Sequence, residues 1–253
     1  MTIPRTRNVL ITGGARRIGR SITAGLASAG WNVVLHYRRS GDEADAFLNE
    51  LEQHGVRVVS LAADLRDEGQ VLSLFDRASN ALGPITALIN NASIFEEDTV
   101  QTVTRESWDG HMEVNLRAPF VLSQQLAARL PDGEMGSIIN IIDQRVWNPT
   151  PEFTSYTLSK MGLWGATQVL AKSLAPRVRV NAIGPGPTLK SVHQTDDEFA
   201  AEVDMAPLKR DVTPEDISRG VQFILDSPTM TGQMIALDSG QHMGWMSEPV
   251  HSR

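Results

Sequence analysis

Seven short apolar runs divide the 253-residue chain, and longer segments with the features of helices separate them. The runs predict buried strands at Asn8–Ile11, Trp31–Tyr37, Val56–Leu61, Ile85–Ile89, Ser137–Ile142, Arg177–Ile183 and Met234–Leu237. Strands that alternate with helices form parallel sheets through right-handed crossovers. The pattern therefore predicts a single α/β domain over 1–253, in which helices cover both faces of a doubly wound, seven-stranded parallel sheet.

The composition excludes several classes of function. A net charge of −7 argues against a nucleic-acid partner and against an anionic membrane surface. The chain has no cysteine, and its six histidines are scattered without ligand spacing, so we expect no disulfide, no thiol nucleophile and no metal site. No apolar run approaches the roughly 20 residues of a membrane helix, and the N-terminus lacks the features of a signal peptide. We expect a cytoplasmic protein.

A glycine-rich turn, Thr12–Gly19, joins the first strand to a helix that runs through about Ala29. In a Rossmann-type fold this arrangement directs backbone N–H groups and the positive helix end at a pyrophosphate. A plain tight turn is the alternative, since glycines serve both purposes. The strand before the turn and the helix after it favour the dinucleotide site.

The second strand ends in Arg38-Arg39-Ser40, where NAD enzymes of this type usually carry an acidic residue for the ribose 2′-hydroxyl. Arginine and a hydroxyl suit a 2′-phosphate, so the sequence favours NADP(H) over NAD(H). The alternative is a basic loop with no ligand. Asp64, just past the third strand, is either an acceptor for the adenine amine or a helix-cap or turn aspartate.

Tyr156 and Lys160 are four residues apart on a predicted helix, 154–175, so their side chains share one face. An ammonium about 4 Å from a phenol favours the phenolate by roughly 4 kcal/mol at an effective dielectric near 20. We therefore expect Lys160 to draw the pKa of Tyr156 towards neutrality and make it a general acid or base. Asp143 ends a strand thirteen positions earlier and is expected to reach the same substrate. The alternative is a surface tyrosine and a solvated lysine.

Three further segments carry predictions about assembly and substrate access. A long helix over 106–130 is interrupted near 117–119, and its Asn115 is either hydrogen-bonded structurally or holds a water at a kink. Apolar residues surround helix 154–175 on nearly all sides, which indicates a subunit interface. The polar segment 188–210 is typical of a mobile lid. Residues 241–253 form a tail.

Together, Thr12-Gly13 with Gly19, Asn90-Asn91-Ala92, Asn115, Tyr156 with Lys160, and Gly184-Pro185-Gly186 resemble the short-chain dehydrogenase/reductase family over about 8–240. The resemblance implies an NAD(P)-dependent oxidoreductase, usually a tetramer, which we expect to form through helices 106–130 and 154–175. It implies that Tyr156 is the general acid/base, that Lys160 lowers its pKa and holds the nicotinamide ribose, and that Asn115 supports a proton-relay water. The cofactor contacts it implies are Gly13, Arg16, Arg17, Ile18, Gly19, His36, Tyr37, Arg38, Arg39, Ser40, Asp64, Leu65, Asn91, Ala92, Ser93, Tyr156, Lys160, Pro185 and Gly186.

Arg17 in the glycine turn, His36–Ser40, Asn91-Ala92-Ser93 with Phe95, and Asp143 at a position where serine is common resemble the pteridine and dihydromonapterin/dihydrofolate reductases of that family. The resemblance implies that NADPH reduces a C=N bond of a pterin. Phe95 would stack on the pterin, and Arg17 and Ser93 would contact cofactor and substrate. A carboxylate at Asp143 accepts hydrogen bonds from pterin N–H groups and helps to pass a proton, whereas serine donates to a carbonyl.

Two other functions remain open. Asp238-Ser239-Gly240 and Pro187-Thr188 depart from the family's usual pattern and leave the substrate in doubt. A carbonyl reductase or alcohol dehydrogenase acting on a small ketone or alcohol would use Asp143 only to orient Tyr156. A non-catalytic NADP(H) sensor is the second alternative, although it has no need of a proton relay.

Overall fold

The computed structural model describes residues 7–39, 41–191 and 194–244, with the side chain of Asp42 left aside. Within this part, seven strands form one parallel sheet: β1 (Asn8–Ile11), β2 (Asn32–Tyr37), β3 (Val58–Ala62), β4 (Ala87–Asn90), β5 (Gly136–Ile141), β6 (Val178–Pro185) and β7 (Met234–Leu237). Their order is β3-β2-β1-β4-β5-β6-β7. The predicted doubly wound sheet is confirmed, and the strand ends differ from the prediction by one or two residues.

The helices alternate with the strands: α1 (Arg17–Ser28), α2 (Gly41–Leu51), α3 (Glu68–Leu82), α4 (Arg105–Met112), α5 (Ala118–Arg129), α6 (Thr154–Ser173), α7 (Asp196–Met205) and α8 (Pro214–Leu225). A π-helical segment, Glu113–Arg117, joins α4 to α5. The interruption expected near 117–119 therefore lies slightly earlier and contains Asn115. Pro119 follows this segment after Ala118, and because it has no N–H it cannot donate the next hydrogen bond of the helical series.

Two hydrophobic layers enclose the sheet, because successive residues of each strand point to opposite faces. Val9 and Ile11 of β1 lie in a cluster with residues of α1, α2 and α8. Leu10 between them packs into the other cluster, with residues of α3 and α5. Burying each such side chain stabilises the fold by roughly 1.5–3 kcal/mol, which fixes the strand register.

The segment 188–210 is more ordered than its weak pattern suggests, because it contains α7. Thr195 and Glu198 form a capping box at the start of this helix, with each side chain bonded to the other's backbone N–H. In the described part of the chain, no helix has the length and apolar content needed to cross a bilayer.

Candidate active site

A cleft of about 1280 Å³ opens at the carboxyl ends of the strands. It lies where the strand order reverses between β1 and β4, which is where open α/β sheets bind ligands. The glycine turn, the loop after β4, the end of β5 and the segment before and within α7 line it.

The glycine turn is held in a shape that only glycine permits. Gly13 has φ of +63°, and a Cβ on Gly19 would lie 2.0 Å from the carbonyl oxygen of Gly13. The Thr12 hydroxyl accepts hydrogen bonds from the backbone N–H groups of Asn91 and Ala92, both at 3.0 Å. The Asn91 amide donates back to the carbonyl oxygens of Thr12 and Gly13. The loop after β4 thus fixes the turn, and both line the cleft.

His36 supports the turn from behind and does not line the cleft. Its Nδ1 accepts the backbone N–H of Gly13 at 3.1 Å, and its Nε2 lies 3.0 Å from the carbonyl oxygen of Ala63. Burial lowers the pKa of His36 to about 4, so the ring is neutral at pH 7 and Nε2 carries the proton. Tyr37 likewise packs against a core cluster outside the cleft. Neither residue lines the cleft, and their predicted contacts with a cofactor stay predictions.

The arginines near the turn differ in their partners. Arg16 is paired with Glu43, and Arg38 with Asp64 at 3.2 Å. Arg39 is exposed and forms no hydrogen bond or ion pair with any residue that the structure describes. Arg39 therefore keeps its full capacity for an anion, while Arg38 shares its charge with Asp64. Ser40 lies outside the described residues.

Arg17 joins the glycine turn to the lid segment. It has φ of +50°, and its guanidinium donates to the carbonyl oxygens of Leu189 and Lys190, both at 3.0 Å. The segment 188–210 is thus tied to the turn near its first residues, and its role as a lid stays a prediction.

Tyr156, Asp143 and Lys160 meet at the end of β5, as predicted. The Tyr156 hydroxyl donates to one Asp143 carboxylate oxygen at 2.8 Å, and the other oxygen accepts the backbone N–H of Arg145 at 2.8 Å. The Lys160 ammonium donates to the carbonyl oxygen of Ile141 at 2.9 Å and lies 5.7 Å from the centre of the Tyr156 ring. Lysine and tyrosine therefore share one face of α6, beside the cleft.

The electrostatics of this group differ from the expectation in one respect. Burial and the adjacent Asp143 carboxylate raise the pKa of Tyr156 well above its ordinary value, whereas we expected Lys160 to lower it. The Asp143 carboxylate contacts the phenol oxygen of Tyr156, whereas the Lys160 ammonium is bonded to the carbonyl oxygen of Ile141. The negative charge is therefore the one that acts on the phenol. Burial also raises the pKa of Asp143 and lowers that of Lys160 to about 8. Tyr156 is therefore a protonated, neutral phenol at neutral pH.

Asn115 is hydrogen-bonded on every side. Its oxygen accepts from the Ser93 hydroxyl and the Ile94 N–H, and its nitrogen donates to the Ile94 carbonyl and to Ser159. Of the two predicted possibilities, the structure shows the hydrogen-bonded one, in which Asn115 ties the loop after β4 to α6. Its predicted role in a proton relay stays a prediction.

Phe95 lines the cleft beside Tyr156, as predicted, but one of its faces is covered. Phe153 stacks on it with ring centres 4.1 Å apart and planes 11° apart, and Tyr156 meets it edge-on at 4.7 Å. The Arg145 guanidinium lies 5.2 Å from the Phe153 ring. Phe153 was not anticipated; its place three residues before Tyr156, at the start of the helix, was the available signal.

A buried network around Asp98 fixes the start of α6, and the sequence analysis missed it. Asp98, 3% exposed, accepts from the backbone N–H of Ser155 at 2.9 Å and from the Ser107 hydroxyl at 2.8 Å. The Ser155 hydroxyl also bonds Asp98 and lies 2.7 Å from His111 Nδ1. Although burial opposes it, these hydrogen bonds hold the pKa of Asp98 below its usual range. Asp98 thus caps the helix that carries Tyr156 and Lys160.

The structure gathers most of the predicted site residues around the cleft. Those that line it are Gly13, Arg16, Arg17, Ile18, Gly19, Arg38, Asp64, Leu65, Asn91, Ala92, Ser93, Phe95, Asp143, Tyr156, Pro185 and Gly186. Those placed behind or beside it are His36, Tyr37, Arg39, Asn115 and Lys160. Among the described residues, no group of three or more His, Asp or Glu is placed to hold a metal ion.

Two crystal structures and one curated relative are similar to nearly the whole chain. FolM alternative dihydrofolate reductase 1 from Brucella canis, in a crystal structure with NADP, is 43% identical, with a TM-score of 0.90 and full coverage of both chains. The Brucella suis protein of the same name, also with NADP, is 45% identical, with a TM-score of 0.88 over 94% of this chain and 96% of that one. The 3-oxoacyl-[acyl-carrier-protein] reductase FabG of Staphylococcus epidermidis is 29% identical over 94% of this chain and 99% of its own.

The family model for the short chain dehydrogenases matches residues 7–200, which is well over half of the chain. This range contains the glycine turn, the loop after β4, and the Tyr156–Lys160 pair with Asp143. The oxidoreductase predicted from the sequence is confirmed, and the chain belongs to the short chain dehydrogenase family.

Proposed function

We propose that this protein is an NADPH-dependent reductase that adds hydride to the C=N bond of a pterin-like substrate, a dihydropteridine or dihydrofolate. The observation that carries the proposal is the 2.8 Å hydrogen bond from Tyr156 to Asp143, beside Phe95. A carboxylate at this point accepts from ring N–H and amino groups, which a ketone lacks.

The residues of the cleft fit NADP(H), and the NADP-bound neighbours confirm this cofactor prediction. The glycine turn presents backbone N–H groups at the start of α1, where a pyrophosphate binds best. Gly186 also has no room for a side chain, because a Cβ would lie 2.6 Å from Asp238 Cα. Arg39 is free to bind a 2′-phosphate, with Arg38 beside it.

The cofactor supplies the hydride, and the chain supplies the proton and its path. Tyr156 gives its phenolic proton to the imine nitrogen as the hydride reaches carbon, so that C=N becomes CH–NH. Asp143, whose pKa burial raises, would take up a proton from water in the cleft and pass it through the Tyr156 hydrogen bond to the phenolate, which returns both groups to their starting state. Lys160 remains an ammonium at neutral pH, and we propose that it holds a ribose hydroxyl of the cofactor.

The wall beside Tyr156 suits a flat ring. Phe95, Phe153 and the Arg145 guanidinium together give an apolar and cationic surface next to the reacting groups. Apart from Arg16, Arg17 and Arg38 near the glycine turn, the cleft is lined by one arginine, Arg145, and by four glutamates, Glu97, Glu152, Glu198 and Glu202. This negative charge favours a dihydropterin with a neutral side chain over dihydrofolate, whose tail carries carboxylates.

The second candidate is a carbonyl reductase or alcohol dehydrogenase for a small ketone or alcohol, which the FabG-type relatives favour. The assay follows NADPH absorbance at 340 nm with dihydrobiopterin, dihydromonapterin, dihydrofolate and a small ketone. Turnover of a dihydropterin supports the proposal, and a flat trace with all three pterins counts against it. If Asp143→Ser keeps or improves ketone reduction while no pterin is ever reduced, the second candidate stands. A non-catalytic sensor would keep its function in Tyr156→Phe.

We also propose that the protein is a homotetramer, formed through α4, α5 and α6, and that it works in the cytoplasm. Trp108 of α4 and Leu158 and Val169 of α6 are large apolar side chains that remain exposed in the single chain. Pairing these helices with their copies would cover them. Light scattering that gives the 27.7 kDa mass of one chain would refute the tetramer.

A further inference from the structure

Gln144 is a buried amide in the cleft with unused hydrogen-bonding capacity. It follows Asp143 directly, begins a 3₁₀ turn over Gln144–Val146, and is 5% exposed. It lines the cleft. Its side-chain oxygen is buried with no hydrogen-bond partner, and its nitrogen bonds no residue that the structure describes.

The residues on either side of Gln144 in the chain do have hydrogen-bond partners. Asp143 uses both oxygens, on Tyr156 and on the Arg145 backbone, and the Arg145 guanidinium donates to Thr150. Buried polar groups in folded proteins are nearly always paired, since an unpaired one destabilises the fold. A methionine would fill the same space without that cost. Asn90, Ser137 and Thr157 also have an unpaired buried atom, but of these four residues only Gln144 lines the cleft, so a bound substrate can supply its partner.

We propose that Gln144 is a specificity-determining residue, whose amide hydrogen-bonds the polar edge of the substrate ring. This inference rests on the proposed function and deepens it. A pterin edge carries a ring N–H, a carbonyl oxygen and an amino group in a row. A primary amide offers a donor and an acceptor side by side, and a half-turn of its last bond exchanges them. Together, the Gln144 amide and the adjacent Asp143 carboxylate can hydrogen-bond two neighbouring groups of such an edge.

The same arrangement discriminates between substrate classes. A simple ketone presents only an acceptor, so it would leave the buried oxygen of Gln144 unpaired. A site with a buried polar group rejects ligands that cannot pair it. Gln144 therefore selects a cyclic amide or amidine edge over a plain carbonyl compound. It does so through binding, since the Tyr156 hydroxyl donates to Asp143 and not to Gln144.

The test compares Gln144→Met with the wild-type holoenzyme, using NADPH and dihydrobiopterin. Gln53→Met, an exposed glutamine between α2 and β3, is the matched control. We expect Gln144→Met to raise the KM for dihydrobiopterin about threefold to tenfold, the effect of one lost hydrogen bond. We expect kcat and the Kd for NADPH to change less than twofold, and the Tm of the protein without ligands to stay level or rise. Gln144→Leu repeats the test without a sulfur atom.

A structural role would give another result. A lowered Tm, a weakened affinity for NADPH, or a KM that does not change would each overturn the inference. If the wild-type enzyme reduces no dihydropterin at all, the proposed function fails first and the inference fails with it. If wild type reduces dihydrobiopterin and Gln144→Met matches it in KM, only the inference is lost.

Discussion

The buried charge of Lys160 is expected to lower the free energy of unfolding at neutral pH. Lys160 is 2% exposed, and burial lowers its pKa from 10.5 to about 8. Between pH 8 and pH 10.5, the folded protein binds fewer protons at Lys160 than the unfolded chain does. The free energy of unfolding therefore rises with pH over this range. The shift corresponds to about 3 kcal/mol of destabilisation below pH 8. This penalty vanishes above pH 10.5, where lysine is neutral in both states.

Lys160→Met removes the buried charge and nearly keeps the shape. The free energy of unfolding of the variant, minus that of wild type, should fall by about 2.5 kcal/mol between pH 7 and pH 10. Urea unfolding at one protein concentration, at pH 7, 8, 9 and 10, measures this difference, and groups that titrate alike in both proteins cancel. Reductase activity should be lost in the variant at every pH. A difference that is constant with pH, or that grows as pH rises, would refute the reasoning.

Three further predictions concern the cofactor, the helix cap and the cleft charge. Arg39→Ala should raise the KM for NADPH about tenfold or more and leave the KM for NADH unchanged. Arg105→Ala is the surface control. An equal rise in KM for both cofactors would contradict the assignment of Arg39 to the 2′-phosphate. Asp98→Ala should lower the free energy of unfolding by roughly 3 kcal/mol, measured with urea, because three donors lose their buried acceptor. The folded protein lowers the pKa of Asp98, so this stabilisation is present at neutral pH and is lost as the pH falls through that pKa. The KM for dihydrofolate should exceed the KM for dihydrobiopterin, and added salt should bring the two values closer. If salt leaves their ratio unchanged, the glutamates of the cleft do not repel the carboxylates of dihydrofolate.

The fold was predictable because its signals are local and repeated. Short apolar runs between helical segments specify a parallel sheet, and the turn with Gly13 and Gly19 can be read from the sequence alone. The four-residue spacing places Tyr156 and Lys160 on one face of α6 in any sequence that forms that helix. Helix α7 was also readable, from the capping box at Thr195, but the polar composition of its segment obscured it.

The electrostatics of the site were not predictable in the same way. The pKa of Tyr156 depends on which charge touches the phenol oxygen and on how deeply it is buried, and neither follows from spacing along a helix. The cap that Asp98 provides to α6 joins residues 57 positions apart, so no local pattern shows it. The unpaired amide of Gln144 becomes visible only once the partners of its neighbours are known.

The most direct test of the account is the rate of NADPH-dependent dihydrobiopterin reduction by Tyr156→Phe, measured at 340 nm beside the Kd for NADPH. We expect kcat to fall by roughly 10²- to 10⁴-fold, the usual contribution of a positioned general acid, while the Kd for NADPH stays within about twofold. A variant that keeps more than a tenth of the wild-type kcat would show that Tyr156 does not supply the proton, and the central claim would be wrong.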